Sequence, residues 1–271
     1  MSPTTPILDA FAQVETAAGH AKTTIRLNAG TLRRLERETG IRLEEQTTAT
    51  LTSWLAGHDW APATRRSARN TLAVFYRWAY AEGLIETDPA RRLPTIREPV
   101  PAPRPIPDDD LAAALAKADE RQALALLLGS RAGLRVSEAA AVNAADIATD
   151  LFGPTLRING KGRKVRTVPI PDALADRIRQ AADAGPAGWA FPSRLDSASH
   201  VTPRQLGRLV RPVLAPHGFH ALRHRYATAT YSATGDLLAV CRLLGHSSPT
   251  ITQRYVATDP GRLREVALAA A

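Results

Sequence analysis

Cysteine, lysine and aromatic residues are all scarce in this chain. A single cysteine, Cys241, among 271 residues leaves no internal disulfide and excludes four-cysteine zinc modules. No stretch approaches the ~20 consecutive apolar residues of a membrane span. The first thirty residues also lack the continuous apolar core of a signal peptide. The expectation is therefore a soluble, cytoplasmic protein that spans no membrane. Lysine occurs four times, at Lys22, Lys117, Lys161 and Lys164, so 31 of the 35 basic residues are arginine. No GxxxxGK[ST] motif is present, and Gly160-Lys161-Gly162 is too short to cradle a nucleotide.

What is abundant is positive charge. Thirty-five Lys and Arg stand against 26 Asp and Glu, for a net charge of +9 and a pI near 10.4. With 44% hydrophobic and 23% charged residues, the composition is that of a folded chain. A pI above about 9 suits a nucleic-acid binder, a membrane-surface binder or an arginine-rich proteome.

Arg97–Pro107, with five prolines in eleven residues, reads as an extended linker. It divides the chain into a first domain over 1–96, a linker over 97–106 and a second domain over 107–271. Before residue 105 there are 14 basic and 11 acidic residues, and after it 21 and 15, so both parts are basic.

The first part reads as helices: one from about Thr23 to Thr39 with Leu32 and Leu35 inward, one carrying Leu51, Trp54 and Leu55, and one carrying Leu72, Val74, Phe75, Trp78 and Ala79. Thr64 is the expected N-cap of the third. Arg65, Arg66 and Arg69 in its early turns are candidate phosphate contacts, or simply a solvated face. In the second part, helices are expected at Asp108, Asp119–Arg131, Ser137–Val142, Asp172–Ala182, Thr202–Leu214, His220–Thr230, Gly235–Leu244, Thr250–Val256 and Gly261–Ala270. Alternating runs at Thr155–Ile158 and Lys164–Ile170 flank a glycine-rich turn and predict a hairpin. The fold class is thus mainly α with a small β-hairpin or sheet.

Several local patterns carry chemistry only in combination. His220 and His224 share a helix face at i and i+4, but no Glu follows the first and no third ligand motif is evident, so no metal is expected. Cys241 reads as a buried core residue. In order along the chain come Ala132-Gly-Leu-Arg135-Val-Ser-Glu138, Lys161 at 26 residues beyond Arg135, His220-x-x-Arg223, Leu243-Leu-Gly-His246, and Tyr255 nine residues after His246. This ordered set resembles the tyrosine recombinase/integrase family, over nearly the whole chain. The resemblance implies a helical core-binding domain and a catalytic domain that together form a C-shaped clamp on DNA, without any cofactor.

The implied chemistry gives each residue a reason. Tyr255 supplies a phenolic oxygen for a covalent 3′-phosphotyrosyl link. Arg135 and Arg223 are forked, permanently charged donors for the phosphoryl oxygens, and His246 adds a hydrogen bond. Lys161 can protonate the 5′-oxygen leaving group, which a guanidinium of pKa above about 12 hardly does. His220 assists proton removal from Tyr255 or binds the phosphate, and Glu138 orients a guanidinium. Arg163 and Lys164 are expected to contact the DNA backbone. His224, Tyr226 and Tyr231 are read as packing or supporting residues. The family usually has Asp after the first His and Thr or Ser after the second; here those positions hold Ala221 and Arg225.

The implied partners are double-stranded recombination sites, a homotetramer in which the helix at 261–270 docks on a neighbour, and a directionality factor. The implied location is the bacterial nucleoid or the cytoplasm of a phage-infected host. Only about twenty residues precede the first expected helix, too few for an arm-type DNA-binding domain, which favours a compact phage or mobile-element integrase. The alternatives are an Xer-type chromosome-dimer-resolution recombinase, a type IB-like topoisomerase with the same chemistry, and a non-catalytic DNA-binding regulator. Retention of all six residues argues against the last.

Overall fold

The computed structural model describes residues 5–97, 103–160, 165–183, 185–196, 198–245 and 268. The chain divides into two units, Met1–Val100 and Pro101–Ala271.

In the first unit four helices form, α1 (Thr5–Ala17), α2 (Lys22–Thr39), α3 (Thr48–Ala56) and α4 (Pro62–Ala81). Their apolar faces meet in a core of Leu8, Phe11, Leu32, Leu35, Leu51, Leu72 and Phe75. Each such side chain contributes roughly 1.5–3 kcal/mol by burial. Polar groups knit the same helices: Glu15 on α1 accepts from Asn28 Nδ2 at 2.6 Å, and Asn28 Oδ1 accepts from Thr71 Oγ1 at 2.8 Å. Three expectations change here. Helix α1 lies in the stretch expected to precede the first helix; Leu8 and Phe11, one turn apart, bury its inner face. Helix α4 starts at Pro62, whose missing N–H is harmless at the first helical position, so Thr64 is not its cap. Val74 is exposed rather than inward.

The second unit is built around α6 (Glu120–Arg131). Leu124, Ala125, Leu126, Leu128, Gly129 and Ser130 are all buried, as befits a helix covered on several sides. Around it pack α5 (Asp108–Lys117), α7 (Val136–Ala140), α8 (Asp172–Ala182), α9 (Pro203–Leu214) and α10 (Phe219–Thr234); α11 (Leu237–Leu244) packs on α10. Asp119 and Thr202 cap α6 and α9, each accepting from the N–H three residues on. Gly129 lets α10 approach closely: a Cβ there would lie 2.8 Å from Leu222 Cβ.

The sheet has three antiparallel strands in the order β1 (Ile147–Asp150), β2 (Gly153–Asn159) and β3 (Val165–Pro169). Strands β2 and β3 are the expected hairpin, with Asn159 opposite Val165. Strand β1 was not expected; it is short and half-exposed, so its sequence carries little alternation. Leu156, Ile158 and Val168 turn the sheet's inner face into the core. Ile106, within the stretch expected to be linker, is buried in the second unit's core, and its N–H donates to the Ala221 carbonyl at 3.2 Å. The expected helices at Thr250–Val256 and Gly261–Ala270 lie outside the described residues, apart from Leu268.

Candidate active site

The site gathers where α7, β3, α10 and the end of α11 meet. Its centre is Glu138, buried on α7 and 4% exposed at the side chain. As the third residue of its helix it reaches back to accept the Arg135 main-chain N–H on Oε2 at 2.8 Å, while Arg135 Nη1 donates to Oε1 at 2.8 Å. From β3, Arg166 donates Nη1 and Nη2 to the two carboxylate oxygens, 2.8 Å each. Arg223 Nη1 from α10 lies 3.7 Å from Oε2. One carboxylate therefore bridges three guanidiniums and leaves the cluster net positive. Burial opposes ionisation of Glu138, but donors from Arg166 and Arg135 outweigh it and hold the carboxyl at about 2.

The two arginines of the expected phosphate clamp differ in access. Arg135 is 35% exposed at its side chain. Arg223 is fully enclosed, donating Nη1 to the Gly133 carbonyl and Nη2 to the Leu244 carbonyl at 2.6 Å each. Arg223 thereby ties the turn before Arg135 to the end of α11. The turn needs glycine twice over: Gly133 has φ +64, and a Cβ there would lie 2.5 Å from Tyr226 Cδ1.

His220 keeps an accessible face one turn before Arg223, with its ring 4.3 Å from that of His224 at 73°. Partial burial, then the positive charges of Arg223 and Arg135, lower its pKa below the ordinary 6.5. Both effects favour the neutral ring, the form that can accept a proton. Tyr226 packs with Ala227, Tyr231, Val240 and Leu244. Burial raises its pKa, which makes it a poor nucleophile, and Cys241 is buried as expected. Among the described residues no group of three or more His, Cys, Asp or Glu is placed to hold a metal.

Lys161, Arg163, Lys164, His246 and Tyr255 lie outside the described residues. The structure brings Arg135, Glu138, His220 and Arg223 together. In the first unit two of the three α4 arginines also have main-chain partners: Arg65 Nη2 donates to the His58 carbonyl at 2.9 Å and Arg69 Nη2 to the Leu93 carbonyl at 3.2 Å, while Arg66 is exposed. Sequence reading missed Arg166 altogether. Its only local signal was an arginine two residues before Val168, on the strand face where an apolar residue is expected.

The fold is one found among solved recombinases. A lambda integrase(75-356) dimer bound to a COC′ core site matches with a TM-score of 0.73 at 20% identity, covering 95% of this chain and 96% of that one. An XerH recombinase bound to palindromic difH substrate, in a post-cleavage complex, gives 0.69 at 20% identity, covering 89% and 79%. Residues 107–262 match the phage integrase family. Tyrosine recombinase XerC of Mycobacterium sp. (strain KMS) is 35% identical over 294 aligned positions, 96% of each chain. XerD of Caulobacter vibrioides is 33% identical over 219 positions, 72% of this chain and 70% of the relative. The chain belongs to the phage integrase family of tyrosine recombinases, enzymes that cleave and rejoin DNA strands.

Proposed function

We propose that the chain is a site-specific recombinase acting on double-stranded DNA through Tyr255. The phenolic oxygen attacks the scissile phosphorus, the P–O5′ bond breaks, and a 3′-phosphotyrosyl link and a 5′-hydroxyl result. His220 takes the phenolic proton or hydrogen-bonds the phosphate, and Lys161 protonates the leaving 5′-oxygen. Arg135, Arg223 and His246 neutralise the phosphoryl oxygens. Attack by a partner strand's 5′-hydroxyl then frees Tyr255. The observation that carries this reading is the convergence of Arg135 and Arg223 on Glu138, with His220 near enough to both arginines to feel their charge. Arg65, Arg66, Arg69, Arg163 and Lys164 add contacts to the DNA backbone.

The assembly we propose is a homotetramer on two DNA sites, with residues 261–270 docking on a neighbour, in the cytoplasm. Two finer roles have separate support. Integration or excision of a phage or mobile element, with a directionality factor, is favoured by Ala221 and Arg225 standing where the family pattern has other residues. An Xer-type resolution role is favoured by the full-length likeness to XerC. The test is capture of fragmented genomic DNA from the source organism as detergent-resistant adducts, followed by sequencing of the attached duplex. Wild type should yield one recurrent site, beside a mobile element for the first role and on the host replicon for the second. Tyr255→Phe should bind the recovered duplex and form no adduct. An adduct that persists in Tyr255→Phe overturns the assignment.

A further inference from the structure

Arg166 belongs to no part of the six-residue pattern, yet all three of its guanidinium nitrogens are hydrogen-bonded at the site. Its fork grips both oxygens of Glu138 at 2.8 Å, and its remaining edge donates Nε to the Leu243 carbonyl, also at 2.8 Å. The side chain is 10% exposed. Glu138 hands the constraint on to Arg135 by two further bonds of 2.8 Å. On the other side, Leu243 lies in the last turn of α11, three residues before His246. Carbonyls there lack helical partners and favour a cation. Gly245 follows in a left-handed conformation (φ +63), and a Cβ there would lie 2.9 Å from Arg166 Cδ. The end of α11 is thus shaped around this guanidinium.

We infer that Arg166 is a positioning residue for strand cleavage, setting the register between Arg135 and the helix end that leads into His246. The inference rests on the reading of those two residues as phosphate ligands. Only a planar guanidinium can serve a bidentate carboxylate and a third acceptor at once; a lysine ammonium is a point charge on a flexible stem. The competing role, charge balance for a buried Glu138 and nothing more, makes a different prediction.

The experiment uses the full-length protein and, as probe, the duplex recovered from wild-type adducts, nicked so that adducts accumulate. Melting temperature, equilibrium affinity and single-turnover adduct formation at saturating protein are measured for wild type, Arg166→Lys, Glu138→Gln and Arg166→Met/Glu138→Gln. The double variant removes the uncompensated carboxylate charge, so it tests the idea even where a single Arg166 variant folds poorly. Arg166→Lys should form adduct at least tenfold more slowly than wild type with affinity within threefold. The double variant should be at least tenfold slower than Glu138→Gln, with matched melting and affinity, because the Leu243 anchor is lost as well. Rates within threefold in both comparisons overturn the inference, as does a slowing that vanishes when probe binding is saturated. Absence of adduct from wild type overturns the recombinase reading itself, and the inference with it.

Discussion

Gly133 and Tyr226 are in such close contact that a single added methyl group at the glycine would lie 2.5 Å from the tyrosine Cδ1. The Gly133 carbonyl simultaneously accepts from Arg223 Nη1 at 2.6 Å. Gly133→Ala should therefore combine left-handed backbone strain with overpacking, for a loss of roughly 2–5 kcal/mol. The melting temperature of the second unit should fall, and Tyr226→Ala in the same chain should recover part of the loss. Unchanged melting in Gly133→Ala would contradict the contact.

Glu138→Gln replaces the carboxylate shared by Arg135 and Arg166 with a neutral amide. Removing one partner of a buried ion pair costs roughly 3 kcal/mol. The folded pKa is about 2, below the ordinary 4.5, so the stabilisation is complete above the unfolded value and lost as pH falls through the folded one. The difference in unfolding free energy between wild type and Glu138→Gln should accordingly be flat above about pH 5 and shrink between there and pH 2. Denaturant titrations at several pH values measure it; a constant difference down to pH 2 goes against it.

His220 should titrate below the ordinary 6.5 because of its partial burial and the charges of Arg223 and Arg135. Its folded pKa lies below the unfolded value, so its contribution to stability is lost as pH falls from about 6.5 through the folded pKa. An NMR titration of the imidazole should give a midpoint under 6.5, and Arg135→Ala should raise it. A midpoint at or above 6.5 in wild type would remove the basis for a neutral His220.

Lys161→Arg keeps the charge and removes the transferable proton. Duplex affinity should stay within a few fold while adduct formation slows by roughly 10²–10⁴-fold, the usual worth of general acid catalysis. A probe with sulfur in place of the bridging 5′-oxygen, whose thiolate leaves without a proton, should restore Lys161→Arg and leave Arg135→Ala slow. Equal rescue of both variants would remove Lys161 from the proton-donor role.

Much of the architecture was legible because it is local. Helical periodicity announced Leu51, Trp54 and Leu55 on α3 and the apolar run of α6. Alternation around a glycine-rich turn announced the β2–β3 hairpin. Strand β1, with one half-buried residue and three exposed ones, gave no such pattern, and Val74 broke its helix's pattern by facing outward.

By itself the sequence determined the chemistry available. Arg135, Lys161, His220, Arg223, His246 and Tyr255 stand in a recognisable order. Only the tertiary structure decided how these groups are held: that Arg223 is enclosed while Arg135 is open, that Arg65 and Arg69 hold main-chain carbonyls, and that Glu138 serves three guanidiniums. The physical reason is distance along the chain. Arg166 bonds partners 28 and 77 residues away, and Arg223 reaches back 90 residues to Gly133. No local period encodes such pairings; they exist only once α7, β3, α10 and α11 have packed together.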